Sequence, residues 1–391
     1  MPGGLTKKTL LAKASRPVLG NARRYPRTRY VELQHKPDFD KAMERMEAWW
    51  ECRIIDRPPV TIHVRPDRRA ELPDKQHATL RERWFDTEHK LDRFEASLDG
   101  AVFLAETFPK FDPGLGPEVC ATVFGCELQF SETTSWSVPI CRSSREIVDI
   151  QPSLDNVYWN SLREQTEASL QRGAGRWITA LPDLHTNGDL LAALRDPQEL
   201  CLDCADDLPS VRAACDHVTE SAYQLMYDDV WGRIEAAGQP ATTWAPFLHA
   251  GRAYVSNCDF ICMISPAMFQ EAILPSIVRE MRFLERNFFH LDGPGALKHL
   301  DALLARPELD GLQWVYGAGN GPAARWTDVY RRAQAAGKGL QLVCEDLADA
   351  RTVAEHLRPE GVWFCPGGSY ARDEVEAFLR WADRWAAGKR A

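Results

Sequence analysis

From Asn287 onward, short apolar runs of strand length alternate with longer stretches of helical periodicity, and this alternation constrains the fold more than any other feature. Strands are predicted near 287–292, 311–316, 339–344 and 361–365, and helices near 295–305, 325–336, 347–357 and 371–386. Strands joined by helical crossovers lie parallel. Upstream, Val60–Val64, Ala101–Glu106, Trp177–Leu181 and a segment running from Ala241 through Trp244 towards His249 read as four more strands. Eight is the closing number for a (β/α)8 TIM barrel, so the expected fold is an α/β barrel. The competing fold, an open doubly wound sheet, needs a Gly-rich first turn, and Val64-Arg65-Pro66-Asp67 is not one.

The rest of the chain decorates that frame. Residues 39–51 predict a helix with Met43, Met46 and Trp50 on one apolar face, widened by Trp49. This is the N-terminal helical extension of a barrel spanning 39–391, preceded by an arm over 1–38. The Gly- and Pro-rich loop Phe108–Pro117 and a hairpin-like alternation at Leu128–Ile140 form an insertion. Gly238 suits a helix C-terminus, Ser265-Pro266 opens another helix, and Pro275 predicts that this helix comes in two parts.

Composition excludes several partners. The net charge of −9 argues against nucleic acid and anionic membrane surfaces. No apolar run reaches the roughly 18 residues of a spanning helix, and the basic N-terminus lacks a signal-peptide core. Eleven scattered cysteines, with one C-x-x-C pair at Cys201 and Cys204 that reads as structural, fit a reducing cytoplasm.

In a parallel barrel the C-terminal strand ends share one rim, and polar residues there converge. The candidates are Glu106, Asp183, His185, Trp244, His249 and Tyr316 as catalytic groups, with His290, Asp292, Cys365 and Glu345 as metal ligands. His290 and Asp292 lie two apart, so they face the same side of their strand. An imidazole, a carboxylate and a thiolate suit zinc with an open position, although a buried Cys also serves as apolar filler. Gly317 and Gly319 after the sixth strand, and Gly367 and Gly368 after the eighth, offer amides to a phosphate or carboxylate. Plain turn geometry explains them as well. Asn257-Cys258-Asp259 reads as a helix cap.

The stretches Asp259–Phe269, His290–Gly295 and Leu312–Gly319 resemble the uroporphyrinogen decarboxylase superfamily, over about residues 40–388. The loop Phe111–Pro117 and Phe124-Gly125-Cys126 are similar to a bacterial branch of it. The resemblance implies a (β/α)8 barrel and one of two chemistries. Cofactor-independent decarboxylation goes with an N-terminal Arg-Gln-Ala-Gly-Arg-Tyr motif, which is absent here. Methyl transfer between a corrinoid, carried by a partner protein, and a small acceptor goes with zinc on His-x-Cys and a late Cys. His290 matches that His and Cys365 the late Cys, whereas Asp292 replaces the first Cys and Cys344 or Glu345 completes the set. The expectation is a cytoplasmic, zinc-dependent, corrinoid-linked methyltransferase, with a decarboxylase or a non-catalytic small-molecule-binding barrel as alternatives and a homodimer as one possible assembly.

Overall fold

The computed structural model describes residues 31–390, so most of the 1–38 arm lies outside the described residues. Its last residues pack on the body. Leu33 is buried, the Gln34 amide donates to the Gly175 carbonyl at 2.9 Å, and the buried Lys36 ammonium meets Asp38 at 2.8 Å.

Helix α1 (Phe39–Trp50) forms where the 3–4 spacing predicts it, with Met43, Met46, Trp49 and Trp50 buried. The Trp49 indole donates to the Gly361 carbonyl at 2.9 Å and the Trp50 indole to that of Leu248 at 3.0 Å. Short ladders follow: β1 (His63–Val64), β2 (Lys110–Phe111), the antiparallel hairpin β3 (Leu128–Phe130) and β4 (Ser135–Ser137), and β5 (Ile178–Thr179). Helix α2 (Thr87–Ser97) precedes β2, and α3 (Val157–Arg172) and α4 (Asn187–Arg195) flank β5. Asn156 caps α3 by accepting from the Tyr158 and Trp159 amides.

The core is a five-stranded, all-parallel sheet: β6 (Ala253–Asn257), β7 (Arg286–Asp292), β8 (Gly311–Val315), β9 (Gly339–Cys344) and β10 (Val362–Pro366). All of β6 is buried, as expected of strands covered on both faces. The last four strands match their prediction within a residue or two. Gly311 and Gly339 open β8 and β9, and a Cβ on either would lie 3.3 or 3.2 Å from the Trp49 ring. Glycine there lets α1 press against the N-terminal end of the sheet. The covering helices include α5 (Gln224–Ala236), α6 (Leu274–Phe283), α7 (Thr327–Ala335), α8 (Leu347–Ala354) and α9 (Arg372–Arg390). Gly238 follows α5 at φ +70°, and a π-type turn at Phe269–Ile273 breaks the helix before Pro275, in the two parts its proline predicts.

From the β10 edge the remaining segments are linked more sparsely. Val60 bridges Phe364, β1 pairs with β11 (Ser369–Tyr370), and the Ile62 amide donates to Thr107 Oγ1 at 2.8 Å. β2 then pairs with β5, and the Leu184 amide donates to the Tyr254 hydroxyl on β6 at 2.6 Å.

Two strand assignments need correction. Ala241 and His249 bridge each other antiparallel instead of entering the sheet, because Pro240 and Pro246 supply no ladder donors. The place beside β7 belongs to Ala253–Asn257. The strand expected at 101–106 is also displaced, since the ladder occurs at Lys110–Phe111 and Glu106 precedes it.

Candidate functional site

The C-terminal ends of β6 and β7 bring three donors together. Ligand atoms of Asp259, His290 and Asp292 all lie within 4.8 Å of one another. The period-two argument that put His290 and Asp292 on one side therefore holds. Asn257 faces His290 across the ladder, so Asp259, two residues further, has the parity that carries its side chain to the same place. The sequence reading took Asp259 for part of a cap. The signal that would have found it is the period of two counted on from Asn257, once Ala253–Asn257 is recognised as a strand.

His290 is oriented from behind by a row of side chains at matching register. Its Nδ1 contacts Gln313 Oε1, Gln313 Nε2 donates to Gln341 Oε1 at 2.6 Å, and Gln341 Nε2 donates to Cys365 Sγ at 3.4 Å. All of these bonds run in one sense, which requires the proton on His290 Nδ1. A metal-ligating imidazole bonded in this way through Nδ1 presents Nε2 to the metal. Cys365 therefore stands two glutamines away from His290, outside the ligand cluster, and burial pushes its thiol up to about 12. A row of amides satisfies the interior of the sheet where a direct imidazole–thiolate contact was expected.

Asp189 on α4 links this cluster to a second one. Its carboxylate accepts from the Asp259 and Phe260 amides at 3.0 and 2.9 Å, fixing the turn after β6. It also lies 3.6 Å from His185 Nδ1, while Asp183 lies 3.2 Å from His185 Nε2. Burial works to lower the His185 pKa, but Asp183, Asp189 and Asp259 outweigh it and raise the value to about 9. Asp259 is shifted upward by burial, then by Asp189 and Asp292, against the pull of His290 and His185. Trp244 sets its ring edge-on to His290 at 5.1 Å. Among the described residues, Trp244 Nε1 and Asp183 Oδ1 are buried without a hydrogen-bond partner.

Beneath this layer Asn187, at φ +50°, donates to the Asn257 carbonyl at 3.1 Å and to Glu280 Oε2 at 3.0 Å. Glu280 is buried, and that burial lifts its carboxyl to about 8.

The other candidates lie elsewhere. Glu106 is fully buried at the start of its segment, accepting from Arg57 at 2.7 Å, Arg45 of α1 at 3.0 Å and the Val60 amide at 2.6 Å. It ties α1 to the N-terminal end of the sheet. His249 sits at that same end, 3.0 Å from Glu47 of α1 and 3.8 Å from Glu285. Both were expected at the rim because their strands were drawn in the wrong place. An added Cβ at Gly321 would meet both Glu345 and Tyr316, so these two flank the turn after β8. Burial raises the Tyr316 pKa. Cys344 has the parity opposite to Gln341, and its thiol turns to the Leu342 carbonyl. In the glycine turns Gly317, Gly319 and Gly368 have positive φ, and the Gly367 amide is engaged by the Cys344 carbonyl at 2.8 Å. The turns themselves call for glycine at Gly317, Gly319 and Gly368, whatever their amides bind.

The acidic and imidazole side chains thus gather at the C-terminal ends of parallel strands in an α/β chain with a five-stranded parallel sheet, the end at which such sheets carry their ligands. Among solved structures, a methyltransferase from Methanosarcina mazei superposes with a TM-score of 0.57, covering 88% of this chain and 98% of that one at 14% identity. The likeness is one of fold. No family model and no curated protein matches the chain. Among the described residues, no helix is long and apolar enough to cross a membrane.

Proposed function

We propose that the chain is a metal-dependent methyltransferase of the uroporphyrinogen-decarboxylase-like barrel type, moving a methyl group between a corrinoid on a partner protein and a small acceptor or donor. In this reading the five-stranded sheet and the sparsely linked segments close as a (β/α)8 barrel, in keeping with the fold of the M. mazei methyltransferase. The observation that carries the proposal is the Asp259–His290–Asp292 cluster, with His290 Nε2 held ready as a ligand by the Gln313–Gln341 row. One nitrogen and two oxygens suit zinc, which when bound would supply an open position that acidifies a thiol or water.

The chain's own residues supply the rest. Gln313 fixes the His290 tautomer, and Asp189 fixes the turn that presents Asp259. His185, an imidazolium at neutral pH held between Asp183 and Asp189, lies beside the cluster and can give a proton to a substrate atom. Trp244 offers its indole N–H and closes one wall.

Metal analysis of purified protein and of His290→Ala is the first test. Stoichiometric zinc that falls at least tenfold in the variant supports the ligand set, and undiminished metal refutes it. Demethylation of methylcobalamin by the purified protein then tests turnover; no demethylation with any small thiol acceptor defeats the methyl-transfer reading.

A further inference from the structure

A groove of about 890 Å³ lies along α2, floored by Trp84, His89, Lys90, Phe94 and Phe111. Most charges around it are paired internally. Lys75 and His77 share Asp86, Arg83 meets Glu132, and Lys110 meets Asp112; Asp74 is exposed at the rim. Lys90 and Arg93, one helical turn apart, differ. Among the described residues neither has a carboxylate within 4.0 Å. Lys90 Nζ donates to the Gly114 carbonyl at 2.9 Å and to Gln165 Oε1 at 3.1 Å, and Arg93 to the Pro73 carbonyl at 2.8 Å, all neutral acceptors.

The position of Lys90 is costly without a counter-charge. Its ammonium is half-buried, 5.3 Å from the Trp84 ring centre, and burial lowers its pKa to about 8. Removing an ammonium from water is unfavourable unless an anion compensates it. The described residues supply none here, and a ligand can.

The groove also borders a cavity at the strand ends. A second cavity of about 540 Å³, lined by Trp244, Gln341 and Cys365, shares Phe94 and Lys110 with it as walls. We infer that the groove seats the anionic end of the substrate, a small organic polyanion bearing carboxylate or phosphate, with its other end reaching the cavity beside Trp244 and Gln341. The aromatic floor suits a flat or apolar body between the two ends. The substrate assignment rests on the strand-end site being where the chemistry occurs, whereas the anion seat stands on the groove alone.

The test is titration calorimetry with citrate and with pyrophosphate, which also separates a carboxylate from a phosphate head group. It is run on wild type, His290→Ala, Lys90→Met and Arg93→Gln. Arg93 is exposed and, among the described residues, bonded only to the Pro73 carbonyl, so its replacement leaves the fold in place even if Lys90→Met does not. The expected result is one saturable site for at least one probe, weakened tenfold or more in Arg93→Gln and retained in His290→Ala. Loss of binding in His290→Ala would place the anion on the strand-end cluster and overturn the groove. Equal binding in Arg93→Gln and wild type would overturn it too, as would the absence of any saturable site. A protein that binds in the expected pattern but transfers no methyl group keeps the anion seat and loses only the reaction.

Discussion

Glu280→Gln tests the buried acid beneath the site. The carboxyl is lifted from 4.5 to about 8 by burial, so between these values the folded chain holds a proton that the unfolded chain has released. Stability then falls with rising pH by ~1.4 kcal/mol per pH unit. The contribution is complete below the unfolded pKa, declines as pH approaches 8 and is gone above it. Over pH 5–8 the loss comes to about 4 kcal/mol, a large part of a typical folding free energy. Glutamine keeps the shape and still accepts from Asn187, but it cannot ionise. Urea unfolding of both proteins at half-unit steps from pH 5 to 8.5 isolates the effect, because every other titrating group cancels in the difference. The expected result is a wild type that loses stability relative to Glu280→Gln throughout this window. Parallel curves would show that Glu280 ionises normally in the folded chain and would refute the argument.

Gln313→Leu removes the acceptor that fixes the His290 tautomer, so metal affinity should drop roughly 10–100-fold in a chelator competition with the fold unchanged; equal affinity would show that the amide row has no part in ligation. Trp49→Ala empties the space beneath Gly311 and Gly339 and leaves the Gly361 carbonyl without its indole donor, at a cost of about 3–5 kcal/mol in urea unfolding. A loss below 1 kcal/mol would mean that α1 does not support the sheet.

The legible part of the sequence was its period. Alternation located β7 to β10, and the parity of His290 and Asp292 placed both in one cluster. Helical spacing likewise gave α1 and its buried face. What alternation does not encode is which end of a strand a residue occupies. Glu106 and His249 were assigned to the rim, yet each binds α1 at the opposite end, where contacts more than fifty residues away in sequence decide the matter. Asp259 was missed for a related reason. Ala253–Asn257 was overlooked while a Pro-bounded excursion took its place, so its terminal carboxylate looked like a cap. Gln313 and Gln341 carry no sequence signal at all, because their role exists only through the register of β7, β8 and β9.

The row from His290 to Cys365 has a polarity. An amide presents oxygen on one side and hydrogen on the other, so reversing either glutamine would set oxygen against oxygen or hydrogen against hydrogen unless its neighbours reversed as well. The imidazole's choice of which nitrogen carries the proton is thus settled collectively, with the sulfur on the far strand as the terminal vote.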